Sequence, residues 1–350
     1  MKKSSLSFTS ELPRLSDLGE ELLLIYDEVL PKKSTTFRKW MQSFPLKYPV
    51  KAGEDLKSVA RFPQHISRIV DLCQNVSNRK LTIVVVGGGS VGDFGGFVAS
   101  ILKRGVRLVQ MPSTWLAAID SAHGGKTALN VGAAKNQIGT FYPADKIFLV
   151  KSLLLSQPEP RAFEGFGELL KISWIVGGPL WKQLSREKEI NANVLWKYLA
   201  AAIQAKNKVV ATDPEEKKGL RHILNLGHTV GHVLEAYYKL PHGVAINYGL
   251  DFSLRWSLQK GIMSKKTFED LQQAPVSGYL LSPARDCLLS TKASDLKEFR
   301  HLLLSDKKKT KAQTLRFVFI KKPGACIIRE VSVDDILIEL CRQKEEELHG

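Results

Sequence analysis

The first 160 residues alternate short apolar runs with segments whose apolar positions recur at helical spacing. Apolar runs at residues 22–26 and 81–86 and a further segment at residues 106–111 predict strands, and the spacing that follows Gly53 predicts a helix between the first two. Residues 28–48 lack such a period and are predicted to form a connection. Because strands separated by helices pair in parallel, we expect an α/β domain with a parallel, Rossmann-like sheet over residues 1–160.

The pattern changes after about residue 160, where long amphipathic segments replace the short strands. Their spacing predicts helices at residues 161–176, 180–187, 194–210, 221–238, 244–259 and 265–273. Near the C-terminus, two short apolar runs flank Pro323-Gly324 and predict a hairpin. We therefore expect a mainly α-helical second domain over residues 161–350.

Length and cysteine usage narrow the class of protein. A chain of 350 residues exceeds what one hydrophobic core usually serves, which agrees with two domains. The four cysteines lie far apart without Cys-x-x-Cys spacing, which indicates reduced thiols and a cytoplasmic protein. No apolar run approaches the length of a membrane span and the N-terminus lacks the apolar core of a signal peptide, so no membrane role is expected.

The chain carries a large excess of positive charge, with 51 Lys and Arg against 35 Asp and Glu and a net charge of +16. Such an excess favours an anionic partner. The basic clusters are short and spread along the chain, and no aromatic residues are interleaved with them. We therefore expect an anionic small-molecule substrate and no nucleic acid.

Histidines and carboxylates supply the first candidate chemistry. His228 and His232 are four residues apart in a segment predicted to be helical, so they share one face. His242 follows in a turn that can bring back a third imidazole, and upstream Glu168 precedes Lys171 by three residues. A histidine pair alone is more often two ordinary polar side chains. Three histidines and a carboxylate without a nearby cysteine, however, indicate a nitrogen and oxygen site for a catalytic divalent ion.

A glycine-rich loop is the second candidate site, one for binding a cofactor. Gly87, Gly89 and Gly92 form Gly-x-Gly-x-x-Gly between a predicted strand and a predicted helix, which is the context of a dinucleotide-binding loop. Glycines there let backbone N–H groups approach a pyrophosphate at the helix N-terminus. The acidic residue expected about twenty positions further on to hold the ribose is absent. Glu54 and Asp27 are the candidates to replace it.

Ordered motifs from residue 53 to residue 308 resemble those of one enzyme family. The matching segments are Gly53-Glu54-x-x-Lys57-Ser58, the GGGSVGD loop that ends at Asp93, Lys103-Arg104-Gly105-Val106, Pro112-Ser113-Thr114, Asp120-Ser121-x-x-Gly124-Gly125-Lys126-Thr127, Lys135-Asn136-x-Ile138-Gly139-x-Phe141-Tyr142, Glu168-x-x-Lys171, Lys206, Arg221-x-x-x-Asn225-x-Gly227-His228-Thr229-x-Gly231-His232, His242-Gly243 and Asp306-Lys307-Lys308. Along most of its length the chain resembles 3-dehydroquinate synthase, of the sugar-phosphate cyclase group. The Asn-x-Gly-His-Thr-x-Gly-His string is the most specific of these motifs.

The resemblance implies a homodimeric, cytoplasmic lyase of the shikimate pathway and of aromatic amino acid biosynthesis. Such an enzyme converts 3-deoxy-D-arabino-heptulosonate 7-phosphate to 3-dehydroquinate and phosphate. It uses NAD and a divalent metal, usually zinc, with cobalt as an alternative. The substrate is oxidised, loses phosphate, is reduced again and closes to a carbocycle.

The resemblance also implies roles for individual residues. The metal ligands are Glu168, His228 and His242, whereas His232 becomes a catalytic neighbour, which revises the first grouping of three histidines. The implied catalytic residues are His232, Lys171, Asp120, Asn225 and Arg221. The implied substrate-binding residues are Lys126, Asn136, Lys206, Lys307, Lys308 and Arg104, the last of which reaches across the dimer. The implied cofactor-binding residues are Asp27, Glu54, Lys57, Gly88, Gly89, Gly92, Asp93, Ser113, Thr114, Lys126 and Lys135.

Departures from the family pattern leave alternatives for the substrate. The usual His-Gly-Glu reads His242-Gly243-Val244, so the carboxylate beside the third ligand is missing. His123 stands where a small apolar residue is usual, and Leu153 begins a segment that lacks the usual threonines. The alternatives are another NAD- and metal-dependent sugar-phosphate cyclase or a metal-dependent polyol dehydrogenase. The matched Arg221, Asn225 and His232, with the many cations, favour the dehydroquinate branch.

Overall fold

A computed structural model describes residues 4–77, 80–132, 134–213, 219–281, 295–305 and 313–349. The chain divides into two compact units, Met1–Arg161 and Ala162–Gly350. Lys307 and Lys308, two of the expected substrate-binding residues, lie outside the described part of the chain.

The first unit is built on a six-stranded sheet in the order β1-β8-β5-β4-β2-β3, in which every recorded strand pair is parallel. The strands of the sheet are β1 (Ser5–Thr9), β2 (Glu21–Asp27), β3 (Leu46–Val50), β4 (Leu81–Gly87), β5 (Arg107–Pro112) and β8 (Lys146–Val150), and a separate antiparallel pair is formed by β6 (Lys126–Val131) and β7 (Ala134–Phe141). The helices are α1 (Leu30–Lys33), α2 (Thr35–Gln42), α3 (Phe62–Leu72), α4 (Gly89–Ile101) and α5 (Lys151–Leu155). The predicted fold class, a parallel α/β sheet followed by a helical part, is confirmed.

The central strands of this sheet carry the apolar runs seen in the sequence. All seven residues of β4 are buried, as expected for a parallel strand covered on both faces. The prediction of an irregular connection over residues 28–48 was wrong in part, because α1, α2 and the start of β3 lie there. β3 contains Pro49, which cannot donate a ladder hydrogen bond and is tolerated because β3 is the last strand of the sheet.

The helix predicted after Gly53 also begins later than the pattern indicates. Residues Glu54–Lys57 form a short 3₁₀ turn, and α3 begins at Phe62 with Pro63 in its first turn. A proline at that point fixes the backbone for the helix without removing an internal hydrogen bond.

The second unit is mainly helical. Its helices include α6 (Glu159–Val176, which begins just before the boundary), α7 (Gly178–Leu184), α8 (Ala192–Thr212), α9 (His228–Tyr238), α10 (His242–Gln259), α11 (Lys265–Gln272), α12 (Leu296–Ser305) and α13 (Val333–His349). The predicted hairpin at Pro323-Gly324 is confirmed as the antiparallel pair β9 (Thr314–Lys322) and β10 (Ala325–Ser332). An aromatic core around Trp256, Phe299 and Phe317 joins α9, α10, α12, α13 and β9.

The single helix predicted over residues 221–238 is interrupted. Leu220–Asn225 form a 3₁₀ turn, and Gly227 has a left-handed φ of 78°, a conformation that favours glycine. α9 therefore begins only at His228. Within the described residues, no helix is both long and apolar enough to cross a membrane.

Candidate metal centre and nucleotide loop

Two of the expected metal ligands occupy the first positions of helices. His228 is the first residue of α9 and His242 is the first residue of α10. The residues before them, Gly227 and Pro241, make no side-chain cap. The partial positive charge of both uncapped helix N-termini therefore remains available where the two imidazoles begin.

Glycines let α9 and α10 approach closely enough for these imidazoles to meet. A Cβ atom added to Gly249 of α10 would lie 1.8 Å from the carbonyl oxygen of Gly227. A Cβ on Gly231 of α9 would lie 2.9 Å from the carbonyl oxygen of Ala245. The glycines of the Gly-His-Thr-x-Gly-His string thus serve helix packing, and that packing places the histidines.

A second close crossing brings α6 to α10. A Cβ atom on Gly243 would lie 2.2 Å from the Cα atom of Glu164, and one on Gly167 would lie 3.0 Å from the carbonyl oxygen of Gly243. Glu168, the next residue of α6, is thereby held next to the start of α10. The third ligand group comes from a helix remote in sequence.

The carboxylate and the two imidazoles form a compact triad. Oε1 of Glu168 lies 3.5 Å from Nε2 of His228 and 3.5 Å from Nε2 of His242. A tetrahedral zinc ion with bonds of about 2.0–2.1 Å separates its ligand atoms by roughly 3.3 Å, so these spacings fit a shared ion. Glu168 is fully buried, and its Oε1 accepts no hydrogen bond of regular geometry from the described residues. An orphaned buried carboxylate oxygen between two ring nitrogens fits a cation.

The charges around Glu168 keep it ionised. Burial by itself would raise the pKa of the Glu168 carboxyl, but Lys171 and the two imidazoles hold that pKa well below its usual range. Nζ of Lys171 lies 2.5 Å from Oε2 of Glu168 and is itself buried. The triad therefore offers an anionic oxygen at neutral pH.

The two ligand histidines differ in their surroundings. Burial, together with the Lys171 ammonium, holds the pKa of His228 well below its ordinary value, so this ring is neutral. Its Nδ1 lies 3.2 Å from the carbonyl oxygen of Leu226, which favours a proton on Nδ1 and a free lone pair on Nε2. Burial would lower the pKa of His242, yet the nearby Glu168 carboxylate and the hydrogen bond to Glu235 raise it to about 10. Between two carboxylates, the ring holds a proton that a divalent ion must displace.

Glu235 is a residue that the sequence analysis missed. Its Oε2 lies 2.7 Å from Nδ1 of His242. The sequence spacing does place Glu235 near the histidines, because His228, His232 and Glu235 are at positions i, i+4 and i+7 and share one helical face. The ring of His232 packs beside the other two, with its centroid 5.0 Å from that of His228 and 5.9 Å from that of His242.

Further expected residues of this unit are buried cations and an amide. Lys206 of α8 and Arg221 of the 3₁₀ turn are only 4% and 5% exposed, and the turn packs against α8. Nδ2 of Asn225 lies 3.1 Å from Nδ1 of His222. Cations inside a protein need anionic or hydrogen-bonding surroundings. Lys206 and Arg221 therefore place two positive charges in the interior of this unit.

In the first unit, the glycine loop forms the N-terminus of α4. Gly88 precedes α4 without a side-chain cap, so the amide groups of the first turn are open to an anion. A Cβ atom on Gly88 would lie 3.1 Å from Cγ2 of Thr114, and one on Gly89 would lie 3.2 Å from Oγ of Ser121. The amide of Ser113 donates to the carbonyl oxygen of Gly87, which ties the end of β5 to the loop. The glycines leave a backbone-lined cradle that fits a pyrophosphate.

A hydrogen-bonded chain joins several expected cofactor residues beside that loop. Nζ of buried Lys57 lies 2.7 Å from Oδ2 of Asp93 and 2.5 Å from Oδ1 of Asn136. The amide of Asn136 donates to Oδ1 of Asn130, whose Nδ2 donates to Oε2 of Glu54. Burial raises the pKa of Asp93, although the Lys57 ammonium opposes that shift. Asn136, expected to bind substrate, thus lies among residues expected to bind the cofactor.

Asn130, at the centre of this hydrogen-bonded network, was also missed, since a single asparagine in a strand that the sequence did not predict gives no signal. Asp27 lies at the carboxyl end of β2, and its Oδ1 accepts a hydrogen bond from the amide of Val29. β2 pairs in parallel with β4, so Asp27 and the glycine loop share the edge of the sheet where α/β proteins bind nucleotides.

The remaining expected residues of the first unit are more exposed. Lys126 and Lys135 lie on the β6–β7 hairpin with exposed side chains. Asp120 is half-buried in a π-helical turn, Ala117–Ser121, which is a rare backbone form that often occurs at functional sites. Arg104 is exposed and has a φ of 67°, just before β5.

Family models and known proteins match most of the sequence of this chain. The family model described as 3-dehydroquinate synthase N-terminal matches residues 47–164, and the one described as 3-dehydroquinate synthase C-terminal matches residues 165–309. The 3-dehydroquinate synthase of Legionella pneumophila (strain Corby) is 37% identical over 273 residues, which cover 76% of this chain and 72% of that protein.

Two solved structures share the fold. That of 2-deoxy-scyllo-inosose synthase complexed with carbaglucose-6-phosphate, NAD+ and Co2+ has a TM-score of 0.79 at 23% identity and covers 96% of both chains. That of ValA, the 2-epi-5-epi-valiolone synthase from Streptomyces hygroscopicus subsp. jinggangensis 5008 with NAD+ and Zn2+ bound, has a TM-score of 0.79 at 19% identity and covers 99% of this chain and 98% of that one.

The fold that these structures share with this chain defines its structural class, a parallel α/β unit followed by a mainly helical unit. Within the class, the family models and the Legionella relative identify the branch: the chain belongs to the 3-dehydroquinate synthase family. Its reaction is that of a carbon–oxygen lyase of the shikimate pathway, which releases phosphate from 3-deoxy-D-arabino-heptulosonate 7-phosphate and forms 3-dehydroquinate.

Proposed function

We propose that Glu168, His228 and His242 hold one divalent ion, zinc or alternatively cobalt, for the dehydroquinate synthase reaction. The observation that carries this proposal is the 3.5 Å spacing from Oε1 of Glu168 to both Nε2 atoms, with that oxygen buried and without a regular hydrogen bond. Two imidazoles and one carboxylate are a ligand set that leaves positions open for substrate oxygens.

We further propose that NAD binds to the first unit, which makes residues 1–160 the nucleotide-binding domain and residues 161–350 the metal- and substrate-binding domain. The pyrophosphate would lie at the N-terminus of α4, where Gly88, Gly89 and Gly92 leave room for the backbone amides to donate. The carboxylates of Asp27 and Glu54 would accept hydrogen bonds from the ribose and would repel the 2′-phosphate of NADP. The remaining cofactor contacts are assigned to Lys57, Asp93, Ser113, Thr114, Lys126 and Lys135.

Held by Glu168, His228 and His242, a metal would supply a Lewis acid for a substrate hydroxyl, and NAD on the first unit would supply a hydride acceptor and donor. The side chains of this chain bind, orient and exchange protons. Lys171 holds Glu168 ionised and, with buried Lys206 and Arg221, supplies positive charge for the substrate phosphate and carboxylate. Asn225 would donate a neutral hydrogen bond, and His232 would exchange protons with the substrate beside the two ligand rings.

Residues of the first unit complete the assignment. Asp120 would position the nicotinamide or a water that carries a proton, and Lys126 and Asn136 would contact the substrate. Lys307 and Lys308 are assigned to substrate binding from the sequence alone. We also propose a homodimer in the cytoplasm, in which exposed Arg104 reaches the phosphate pocket of the partner chain.

Phosphate release tests the assignment directly. The protein, loaded with Zn2+ and NAD, is expected to release phosphate from the heptulosonate phosphate, and NADP is expected not to replace NAD. Tighter binding of NADP than of NAD would contradict the roles given to Asp27 and Glu54. Phosphate release that persists after Glu168→Gln would contradict the metal centre.

A further inference from the structure

Outside the ligand triad, one contact links a third carboxylate to the metal centre. Oε2 of Glu235 on α9 lies 2.7 Å from Nδ1 of His242 on α10. The same imidazole directs its Nε2 toward Oε1 of Glu168 at 3.5 Å. His242 therefore lies between two carboxylates, one at each ring nitrogen, and it is about one-quarter exposed, as is Glu235.

The two distances differ in meaning. A separation of 2.7 Å is that of a charge-assisted N–H···O hydrogen bond, with Nδ1 as the donor and the Glu235 carboxylate as the acceptor. A separation of 3.5 Å is long for a hydrogen bond and fits two ligand atoms of one ion. The contact with Glu235 fixes a proton on Nδ1, so Nε2 is the ring nitrogen left to bind an ion in place of its own proton.

We propose that Glu235 is the positioning residue for His242: it selects the tautomer that binds metal through Nε2 and holds the ring toward Glu168. This inference rests on the metal centre proposed above. Val244 stands where the family pattern has a carboxylate, and the carboxylate bonded to Nδ1 of His242 comes from the preceding helix. Carboxylate partners of this kind raise the basicity of a ligand imidazole.

His228 provides an internal comparison. Its Nδ1 lies 3.2 Å from the backbone carbonyl oxygen of Leu226, which is a neutral acceptor that no side-chain substitution removes. The orientation of His228 thus depends on the start of α9, whereas that of His242 depends on one replaceable side chain.

His232, Glu235 and His242 also place one ligand atom each within 4.8 Å of one another. Two members of this group, His242 and Glu235, are already joined by the 2.7 Å hydrogen bond between Nδ1 and Oε2. The geometry therefore favours the hydrogen bond over a second ion, and the number of ions bound per chain separates the two cases.

The test compares Glu235→Ala, Glu235→Gln and the control Glu187→Gln after the metal has been stripped from the full chain. Glu187 is a matched control because its half-buried carboxylate also accepts two side-chain hydrogen bonds, from Lys197 and Tyr198. The probes are Zn2+, titrated against a chromophoric chelator, and Co2+, whose d–d absorption reports ligand geometry. A thermal melt of each variant without metal establishes that it is folded.

Glu235→Ala is expected to weaken Zn2+ binding by about 10- to 100-fold and to alter the Co2+ spectrum. Glu235→Gln, which keeps an oxygen acceptor, is expected to recover part of the affinity, and Glu187→Gln is expected to match the unchanged chain. Should Glu235→Ala misfold, the nearly isosteric Glu235→Gln carries the test alone through its affinity and spectrum.

Two results would overturn the inference. One is a folded Glu235→Ala protein that binds Zn2+ within twofold of the unchanged chain with the same Co2+ spectrum. The other is two ions per unchanged chain, of which the variant loses one, since Glu235 would then be a ligand. If the proposed metal centre itself were wrong, His228→Ala would keep its zinc, and this result distinguishes that failure from a failure of the role given to Glu235.

Discussion

At the scale of single residues, the chemistry depends on buried charges with fixed partners. Glu168 is held ionised by Lys171, and His242 is held between two carboxylates. From the sequence, the spacing of His228 and His232 indicated a metal site, but the choice of ligands needed the family resemblance. The spacing puts Glu235 on the same helical face as His228 and His232, but its contact with His242 could not be predicted, because that contact depends on how the two helices pack.

A residue-scale prediction concerns Lys57. Replacing it in Lys57→Met leaves Asp93 buried without its cation and frees Asn136 from the network. The loss of charge-assisted hydrogen bonds of about 1.5–3 kcal/mol is expected to weaken NAD binding roughly tenfold to a hundredfold. Calorimetric titration with NAD measures the effect.

Lys80→Met is the matched control, since Lys80 pairs with Glu20 on the surface of the same unit. Exposed pairs of this kind contribute little, so NAD binding is expected to stay unchanged. Equal NAD affinity in Lys57→Met and Lys80→Met would show that the network does not support the cofactor.

At the scale of elements, the buried central strands were easier to predict than the other strands and the helix ends. β2 and β4 were predicted because parallel strands buried on both faces are nearly continuous apolar runs. β5 was also predicted, although Arg107 and Gln110 interrupt its apolar residues. The edge strand β3 was missed because its lysine, tyrosine and proline break that run. The predicted helix over residues 221–238 failed at Gly227, whose left-handed φ ends one element and starts another. Periodicity does not report a backbone reversal of this kind.

An element-scale prediction follows from the α9–α10 crossing. In Gly249→Ala, the added Cβ atom would meet the carbonyl oxygen of Gly227 at 1.8 Å, so the helices must separate. Overpacking of this kind costs about 1–3 kcal/mol, and the displacement of His228 from His242 is expected to weaken Zn2+ binding as well. Chemical denaturation and metal titration measure the two effects.

Gly278→Ala provides the comparison. Gly278 is also helical, and an added Cβ atom would meet nothing closer than 3.9 Å. Alanine at such a position is expected to leave stability unchanged or to raise it by about 0.5–1 kcal/mol. If Gly249→Ala were as stable as Gly278→Ala and bound Zn2+ as tightly, the close crossing would not be what places the ligands.

At the scale of the whole molecule, the sequence predicted the order of the two parts, and the parallel sheet followed by helices is confirmed. The net charge of +16 suits a substrate that carries phosphate and carboxylate, because a basic surface raises the local concentration of anions. The proposed homodimer is the property that a single chain shows least. Arg104 lies exposed at the end of a 3₁₀ turn, and its proposed contact is with the partner chain.

The molecule-scale prediction uses mixed dimers. Arg104→Ala is expected to weaken substrate binding roughly tenfold or more, as the loss of one charge-assisted phosphate contact implies, while NAD binding stays unchanged. Pairing Arg104→Ala chains with His232→Ala chains should restore one working site per dimer. Phosphate release no higher than that of either parent would contradict a shared site.

The central claim is that Glu168, His228 and His242 hold one divalent ion, and the most direct measurement is the metal content of the purified protein by elemental analysis. The account predicts about one zinc or cobalt ion per chain in the active enzyme. It predicts that His228→Ala loses this ion, because two remaining protein ligands bind a metal more weakly than three. Active enzyme without metal, or a His228→Ala variant that retains its full metal content, would contradict the account.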